Sequence, residues 1–296
     1  MEQNTDTPVQ KPNMPSESKP FESLTISDNY MFQAVMQNPI HVKPLLEMVL
    51  GKKIRKIVMV TTEKSVETGY ASRGIRMDVY IEDDANTVYD VEMQASKKRH
   101  LGKRFRYYQG SIDVSIVSKG DDFNKLKTAY IIFITTYDPF DKGLYVYPFE
   151  TSCSWDHDIK MNSASYWYVL NTKGSKDAEG HEVSAEIKEM LSYMDGNEPA
   201  SDYTRMLDKA VSEIKQSEER RLEYMSIYAN AADMKEIGDY RTYVRSVRDS
   251  AVADDLLMKV LKISLKTLNN IRTVLNSHPD WDDEAVAGEV LNLEDE

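Results

Sequence analysis

The sequence predicts an α/β core followed by a helical C-terminal region. Three patterns carry this expectation: apolar residues recur with period two through residues 77 to 94, at helical spacing over residues 101 to 116, and without interruption over residues 130 to 135. Beyond about residue 182 the periodicity is helical and the composition is charged.

Residues 1 to 20 hold four prolines and no Leu, Ile, Phe, Tyr or Trp, so they lack the apolar surface that offsets chain entropy and are expected to form a disordered tail. The core is expected over residues 21 to 180. Thr25 or Ser27 is placed to cap a helix containing Tyr30, Met31, Val35 and Met36, stopped by Pro39. Val42, Leu45, Leu46, Val49 and Leu50 keep helical spacing in a second helix that ends at Gly51. Residues 57 to 60 form a short strand. Met77, Val79 and Ile81 alternate with Arg76, Asp78, Tyr80 and Glu82, and alternation resumes over residues 88 to 94 after the turn residues Asp83, Asp84 and Asn86, which makes a hairpin. Leu101, Phe105, Tyr108, Ile112 and Ile116 then fall on one stripe of a helix. The run YIIFIT at residues 130 to 135 has the composition of a strand covered on both faces, and residues 165 to 170 supply a further strand.

Residues 181 to 279 are expected to form a helical C-terminal region. Ile187, Met190, Leu191 and Met194 share one face, a second helix covers residues 203 to 230 beyond Gly196, Asn197 and Pro199, and a third covers residues 254 to 275 with Leu256, Leu257, Val260, Leu261, Leu265 and Leu268. Residues 280 to 296 hold eight acids and no base and are expected to be a solvated or frayed acidic tail.

Several classes are excluded by composition. A chain of 296 residues can bury one or two full cores without staples. Cys153 is the only cysteine, no apolar signal segment appears near the start, and the longest apolar run, residues 129 to 134, is far short of the roughly 20 residues that span a bilayer. A cytoplasmic protein with no membrane partner is expected. Gly51, Gly69 and Gly74 stand alone, so no glycine-rich phosphate loop is present. Cys153 and His157 lack the further ligands of a metal site and are expected to be structural or surface residues, and Trp155, Trp167 and Trp281 to serve packing.

With 49 acidic and 37 basic residues the formal charge is -12, which taken whole argues against a polyanionic ligand. The distribution alters that inference. Residues 97 to 127 carry nine bases (Lys97, Lys98, Arg99, Lys103, Arg104, Arg106, Lys119, Lys125 and Lys127) against Asp113, Asp121 and Asp122, a local balance of +6 that leaves -18 for the rest. A solvated helix face is the ordinary explanation of such a strip. Its position directly after the hairpin with the most unusual carboxylates points instead to a phosphate backbone.

Those carboxylates are Asp78, in RMDVYIED, and Glu92, in VYDVEMQ. If the hairpin closes with a three-residue loop over residues 84 to 86, residues whose numbers sum to 170 face each other, and Asp78 and Glu92 become cross-strand neighbours with Cβ atoms about 5 Å apart. Two carboxylates at that distance repel unless a cation lies between them, and oxygen ligands suit Mg²⁺ or Mn²⁺. Another loop length breaks the register, and periodicity alone fits a solvent-facing hairpin with scattered acids equally well.

Asp78, then Glu92, Met93 and Gln94, then Arg104 and Tyr108 on the following helix resemble the PD-(D/E)XK nuclease superfamily. Within it they are similar to the recombination-promoting nuclease and transposase branch, where an Asp is followed by E-x-Q and an R-x-x-x-Y helix. SDNYMF at residues 27 to 32, TTYDPFDKGLYVYPFE after the central strand and VLNTKG at residues 169 to 174 are also similar, and the likeness spans roughly residues 21 to 225. It implies a restriction-endonuclease-like core, with a mixed central sheet flanked by helices. It also implies a Mg²⁺- or Mn²⁺-dependent DNA endonuclease that hydrolyses phosphodiesters with low sequence specificity in DNA breakage and recombination.

On this resemblance Asp78 and Glu92 are metal ligands, the Met93 carbonyl is a third, and Asp78, Glu92 and Gln94 form the catalytic set. Arg104, Tyr108, Lys97, Lys98 and Lys103 then contact phosphate, as do Arg99 and Arg106. Gln94 stands where the superfamily has Lys; an amide orients water or phosphate but neither takes a proton nor supplies charge, so the general base stays unassigned. Two other readings therefore stay open: a catalytically weak or inactive nuclease-fold protein that binds nucleic acid or protein, and RNA as the substrate. Glu47, on the second helix, is a weaker candidate for an extra carboxylate, a surface glutamate being the simpler reading. The C-terminal helices are expected to serve a protein partner or a second copy of the chain.

Overall fold

The computed structural model describes residues 19–66, 75–97, 100–248 and 253–295; the expected N-terminal tail, up to residue 18, lies outside them. Two compact units divide the described chain, Pro20–Arg220 and one built on Arg221–Glu296.

The first unit begins with α1 (Asn29–Met36) and α2 (Pro39–Leu50). Asp28 occupies the cap position of α1 in place of Thr25 or Ser27, and its carboxylate accepts the Thr25 N–H at 2.7 Å. Asn38 caps α2 by accepting from the Ile40 N–H at 3.0 Å, and Pro39 sits in the first turn, where its missing donor costs nothing. Gly51, at φ 61°, ends that helix in the left-handed region.

Next come β1 (Ile57–Val66), β2 (Ile75–Asp83), β3 (Val88–Gln94), α3 (Leu101–Ile116), β4 (Ala129–Thr135), β5 (Val146–Phe149) and β6 (Ser165–Asn171). The strands make one sheet in the order β1-β2-β3-β4-β6-β5. β3, β4 and β6 run parallel at its centre, while β1, β2 and β5 pair antiparallel with their neighbours. This is the mixed sheet flanked by helices that the resemblance implies. β1 continues well past residue 60, and β5, which the periodicity does not reveal, is an edge strand whose Pro148 is tolerated there because no further strand asks for its N–H.

The β2–β3 hairpin sets the register of the site. Asp83 Oδ1 accepts from the backbone N–H groups of Ala85 and Thr87, each at 2.9 Å, and Tyr89 donates its hydroxyl to Oδ2 at 2.7 Å. Asn86 takes φ 63°, closing a three-residue loop between Asp83 and Thr87. Across the sheet, α3 lays Phe105, Tyr108 and Ile112 on Ile131, Phe133 and Val169. The Phe105 ring stacks on Phe133 at 4.3 Å and on Trp167 at 5.4 Å between centroids, which locks the rotation of α3 and hence the direction of its polar residues. α1 packs against β2 and β3.

The compact unit reaches Arg220, so α4 (Ala185–Met194) and α5 (Asp202–Lys215), which the composition groups with the C-terminal region, pack on α1 and α2 and belong to the core. The helix expected over residues 203 to 230 is broken after Lys215. Ser217 accepts from the Arg220 N–H at 3.3 Å and starts a new helix, α6 (Glu218–Arg248).

In the second unit α7 (Asp254–Leu261) and α8 (Leu265–Ser277) replace the single helix expected over residues 254 to 275. Lys262 turns into the left-handed region at φ 57°, and Ser264 caps α8 by accepting from the Thr267 N–H at 3.0 Å. The acidic segment is not a solvated tail. It forms α9 (Asp283–Asp295), because Val286, Ala287 and Val290 share a face that packs with Val244, Val247, Leu268 and Ile271. Its first turn is held by Arg245 and Arg248, which reach Asp283 at 3.1 and 3.0 Å, and by Arg241, 3.3 Å from Glu284. Among the described residues no helix is long and apolar enough to cross a membrane.

Candidate active site

The hairpin pairs Val79 with Val91, Tyr80 with Asp90, Ile81 with Tyr89 and Glu82 with Val88, which keeps the residue sum at 170. Continued by one step, this register sets Asp78 beside Glu92, and the hydrogen bonds tie the two together. Glu92 Oε1 accepts from the Asp78 N–H at 2.8 Å, and Asp78 Oδ2 accepts from the Met93 N–H at 3.1 Å. Both side chains are buried.

Each carboxylate receives a further layer of donors. From α1, Gln33 Nε2 donates to Asp78 Oδ1 at 3.0 Å, and the Asn29 amide, turned to donate, lies 3.1 and 2.8 Å from the two Asp78 oxygens. From α3, Tyr108 donates its hydroxyl to Glu92 Oε2 at 3.1 Å, and Arg104 Nη2 lies 3.8 Å from the same oxygen. Arg104 Nη1 donates to Gln94 Oε1 at 2.5 Å, and its guanidinium lies 4.9 Å from the centre of the Phe133 ring. Gln94 Nε2 in turn donates to the Met93 carbonyl at 3.0 Å. One step of four residues on α3 thus aims Arg104 and Tyr108 at the hairpin.

Burial, and next the charge of Asp78, push the Glu92 carboxyl up to about 8. Asp90, two residues earlier on β3, is raised well above the usual carboxylate range by burial and then by Glu92 and Asp78. Burial also raises the Tyr108 hydroxyl, with the Glu92 charge adding to it. Three acidic groups thus share a buried corner with the guanidinium of Arg104.

The structure therefore brings together Asp78, Glu92, Met93, Gln94, Arg104 and Tyr108. Lys97 and Lys103 are exposed, Lys103 on the outer side of α3, and Lys98 and Arg99 lie outside the described residues. Glu47 is not part of this cluster: it accepts from the Ile54 N–H at 2.8 Å and from Lys53 at 3.1 Å, pinning the chain after α2. Sequence reasoning missed Asn29, Gln33 and Asp90. Asn29 lies within SDNYMF, and the i, i+2 spacing of Asp90 and Glu92 was the signal that they share a sheet face; nothing local marks Gln33.

The donor set fits a hard divalent cation. Asp78 and Glu92 are adjacent carboxylates whose mutual repulsion is incompletely offset by Arg104, oxygen donors of the kind such an ion takes. Among the described residues no group of three or more His, Cys, Asp or Glu side chains is arranged to hold a metal. No curated protein and no solved structure matches the chain. A family model described as PD-(D/E)XK nuclease family transposase matches residues 30–240, and nucleases of this family generally use divalent metals. That match covers most of the sequence and the whole of the hairpin and α3, and the chain belongs to the PD-(D/E)XK nuclease family transposases.

Proposed function

We propose that the protein is a metal-dependent DNA endonuclease that hydrolyses phosphodiester bonds with low sequence specificity and serves DNA breakage and recombination. The observation that carries this reading is the joining of Asp78 and Glu92 by reciprocal backbone hydrogen bonds, with Gln94, Arg104 and Tyr108 on the same corner. Asp78 and Glu92 would hold Mg²⁺ or Mn²⁺. The chemistry a divalent ion supplies in such a site is stabilisation of charge on the phosphate and a lowered pKa for bound water. Gln94 has no proton to exchange and acts by orientation; the charge it lacks comes from Arg104, which grips a phosphate oxygen once substrate displaces its present partners. Lys97, Lys98 and Lys103 extend the basic strip along the DNA backbone without reading bases, consistent with weak sequence preference.

One observation favours a second reading. The Met93 carbonyl accepts from Gln94 and all four carboxylate oxygens of Asp78 and Glu92 accept donors, so a cation has to share or displace these bonds, as suits a catalytically weak protein that binds nucleic acid. Supercoiled plasmid incubated with Mg²⁺ or Mn²⁺ separates the two. Nicking by the wild type that disappears in Asp78→Ala and Glu92→Ala supports the nuclease. Equal nicking by all three proteins, or binding without nicking by the wild type, overturns it.

A further inference from the structure

In the second unit α7 and α8 form a helix-turn-helix. The eight residues of α7 lead into a three-residue turn, residues 262 to 264, whose first residue takes φ 57° and whose last, Ser264, caps α8. Leu257 before the turn and Leu268, Ile271 and Val274 after it are buried in one cluster, and Leu261 and Ile263 pack on its margin. Val244 and Val247 of α6 and Val286 and Val290 of α9 complete that cluster. Packing on this side fixes the rotation of α8 and leaves its opposite face open. Lys266, Asn269 and Thr273 are exposed there, one helical step apart, and Leu265 beside them is 55 % exposed.

The open face has the chemistry of a major-groove reader. The groove admits an α-helix, and in a helix-turn-helix the first residues of the second helix meet the base edges. An Asn269 amide can both donate to and accept from adenine, Lys266 can donate to guanine, and the methyl groups of Leu265 and Thr273 suit thymine. Charge is complementary as well. Residues 256 to 279 carry Lys259, Lys262, Lys266 and Arg272 and no acid, in a chain of net charge -12. Lys259 and Lys262 are exposed at the end of α7 and in the turn, within reach of phosphates flanking the groove. The ion pair of Arg272 with Asp254 and the contact of Lys266 with the Glu294 carbonyl at 3.4 Å are both exposed, so phosphate can replace them at little cost. Asn270 is bonded to Glu294 at 2.9 Å and belongs to the α9 side. We propose that the second unit reads duplex DNA, with α8 in the major groove and Lys266 and Asn269 on base edges, so that the chain is held at preferred sequences. This function goes beyond the proposed cleavage and does not depend on it.

Selection from a randomised duplex library by the full-length protein in chelator, where a metal-dependent nuclease is idle, tests the proposal. Fluorescence anisotropy then compares the selected duplex with a scrambled one. The expected result is a selected duplex bound at least about tenfold tighter than the scrambled one. Asn269→Ala should lose about fivefold or more of that preference while binding the scrambled duplex like the wild type, which also shows that the variant is folded. Lys262→Gln should weaken both duplexes alike. Full preference kept in both Asn269→Ala and Lys266→Ala overturns the proposal, as does an equal loss on both duplexes in these two variants. Failure of any sequence to be enriched overturns it too. Self-association that Val260→Asp abolishes would in that case assign this face, where Leu256 and Val260 are 52 % and 67 % exposed, to a second copy of the chain.

Discussion

Arg104 donates to the side-chain oxygen of Gln94 at 2.5 Å while its other terminal nitrogen stands 3.8 Å from Glu92. The one residue of the motif that cannot carry charge is thereby bound to one that always does. The positive charge that an E-x-K motif would place on the strand arrives here from the helix above it, and the stack of Phe105 on Phe133 fixes the helix that delivers it.

Arg104 is therefore expected to matter more to cutting than to folding. Arg104→Ala should lower the initial rate of plasmid nicking about 100-fold, the scale of losing one charge-stabilising donor. Arg104→Lys should recover only part, since one ammonium cannot bridge Gln94 and Glu92 as a guanidinium does. A wild-type nicking rate in Arg104→Ala would remove Arg104 from the site.

The raised Glu92 carboxyl predicts a pH dependence of stability in metal-free protein. Between the ordinary value of 4.5 and about 8 the folded chain keeps a proton that the unfolded chain has released. The unfolded state then binds fewer protons, so stability falls as pH rises through that window and levels off above it. Thermal midpoints in chelator from pH 5 to 9 should decline for the wild type and decline less for Glu92→Gln, with Asp90 supplying the remaining slope. A midpoint that rises over this range would contradict the burial of these acids.

The exposed bases on and before α3 should act on DNA affinity as point charges. Removing Lys97 or Lys103 is expected to weaken binding to any duplex sequence alike and to reduce the slope of log affinity against log salt by about 1 for each residue. Fluorescence anisotropy across a salt series checks this, and an unchanged slope would place the DNA elsewhere.

Asn86 closes the hairpin at φ 63°, a conformation that costs a β-branched residue about 1–2 kcal/mol. Asn86→Val should lower stability by that amount in urea unfolding and, by loosening the register of Asp78 against Glu92, should weaken Mn²⁺ binding as well. Asn86→Gly should leave both close to the wild type.

Strand periodicity makes β3 legible, the unbroken apolar run makes β4 legible, and the 101-to-116 stripe makes α3 legible to the residue, because each pattern is written in neighbouring side chains. β5 escaped notice because four residues with a proline carry too little alternation, and the breaks after Lys215 and at Lys262 escaped because capping by Ser217 and Ser264 is a weaker signal than the apolar stripe running through them. The eight acids of the C-terminal segment concealed a helix whose apolar face needed α6 and α8 to cover it.

Within the site the sequence by itself offered the Asp78–Glu92 register only on condition of a three-residue loop, and the turn bonds accepted by Asp83, with Asn86 in the left-handed region, meet that condition. Tertiary structure alone decided that Asn29 and Gln33 would steady Asp78, that Arg104 would turn onto Gln94, and that Asp90 would be enclosed without a partner. The reason is reach. A hairpin register is settled by bonds within a few residues, whereas a hydrogen bond between α1 and β2, or the lack of one at Asp90, depends on which surfaces the packing of distant apolar faces brings together.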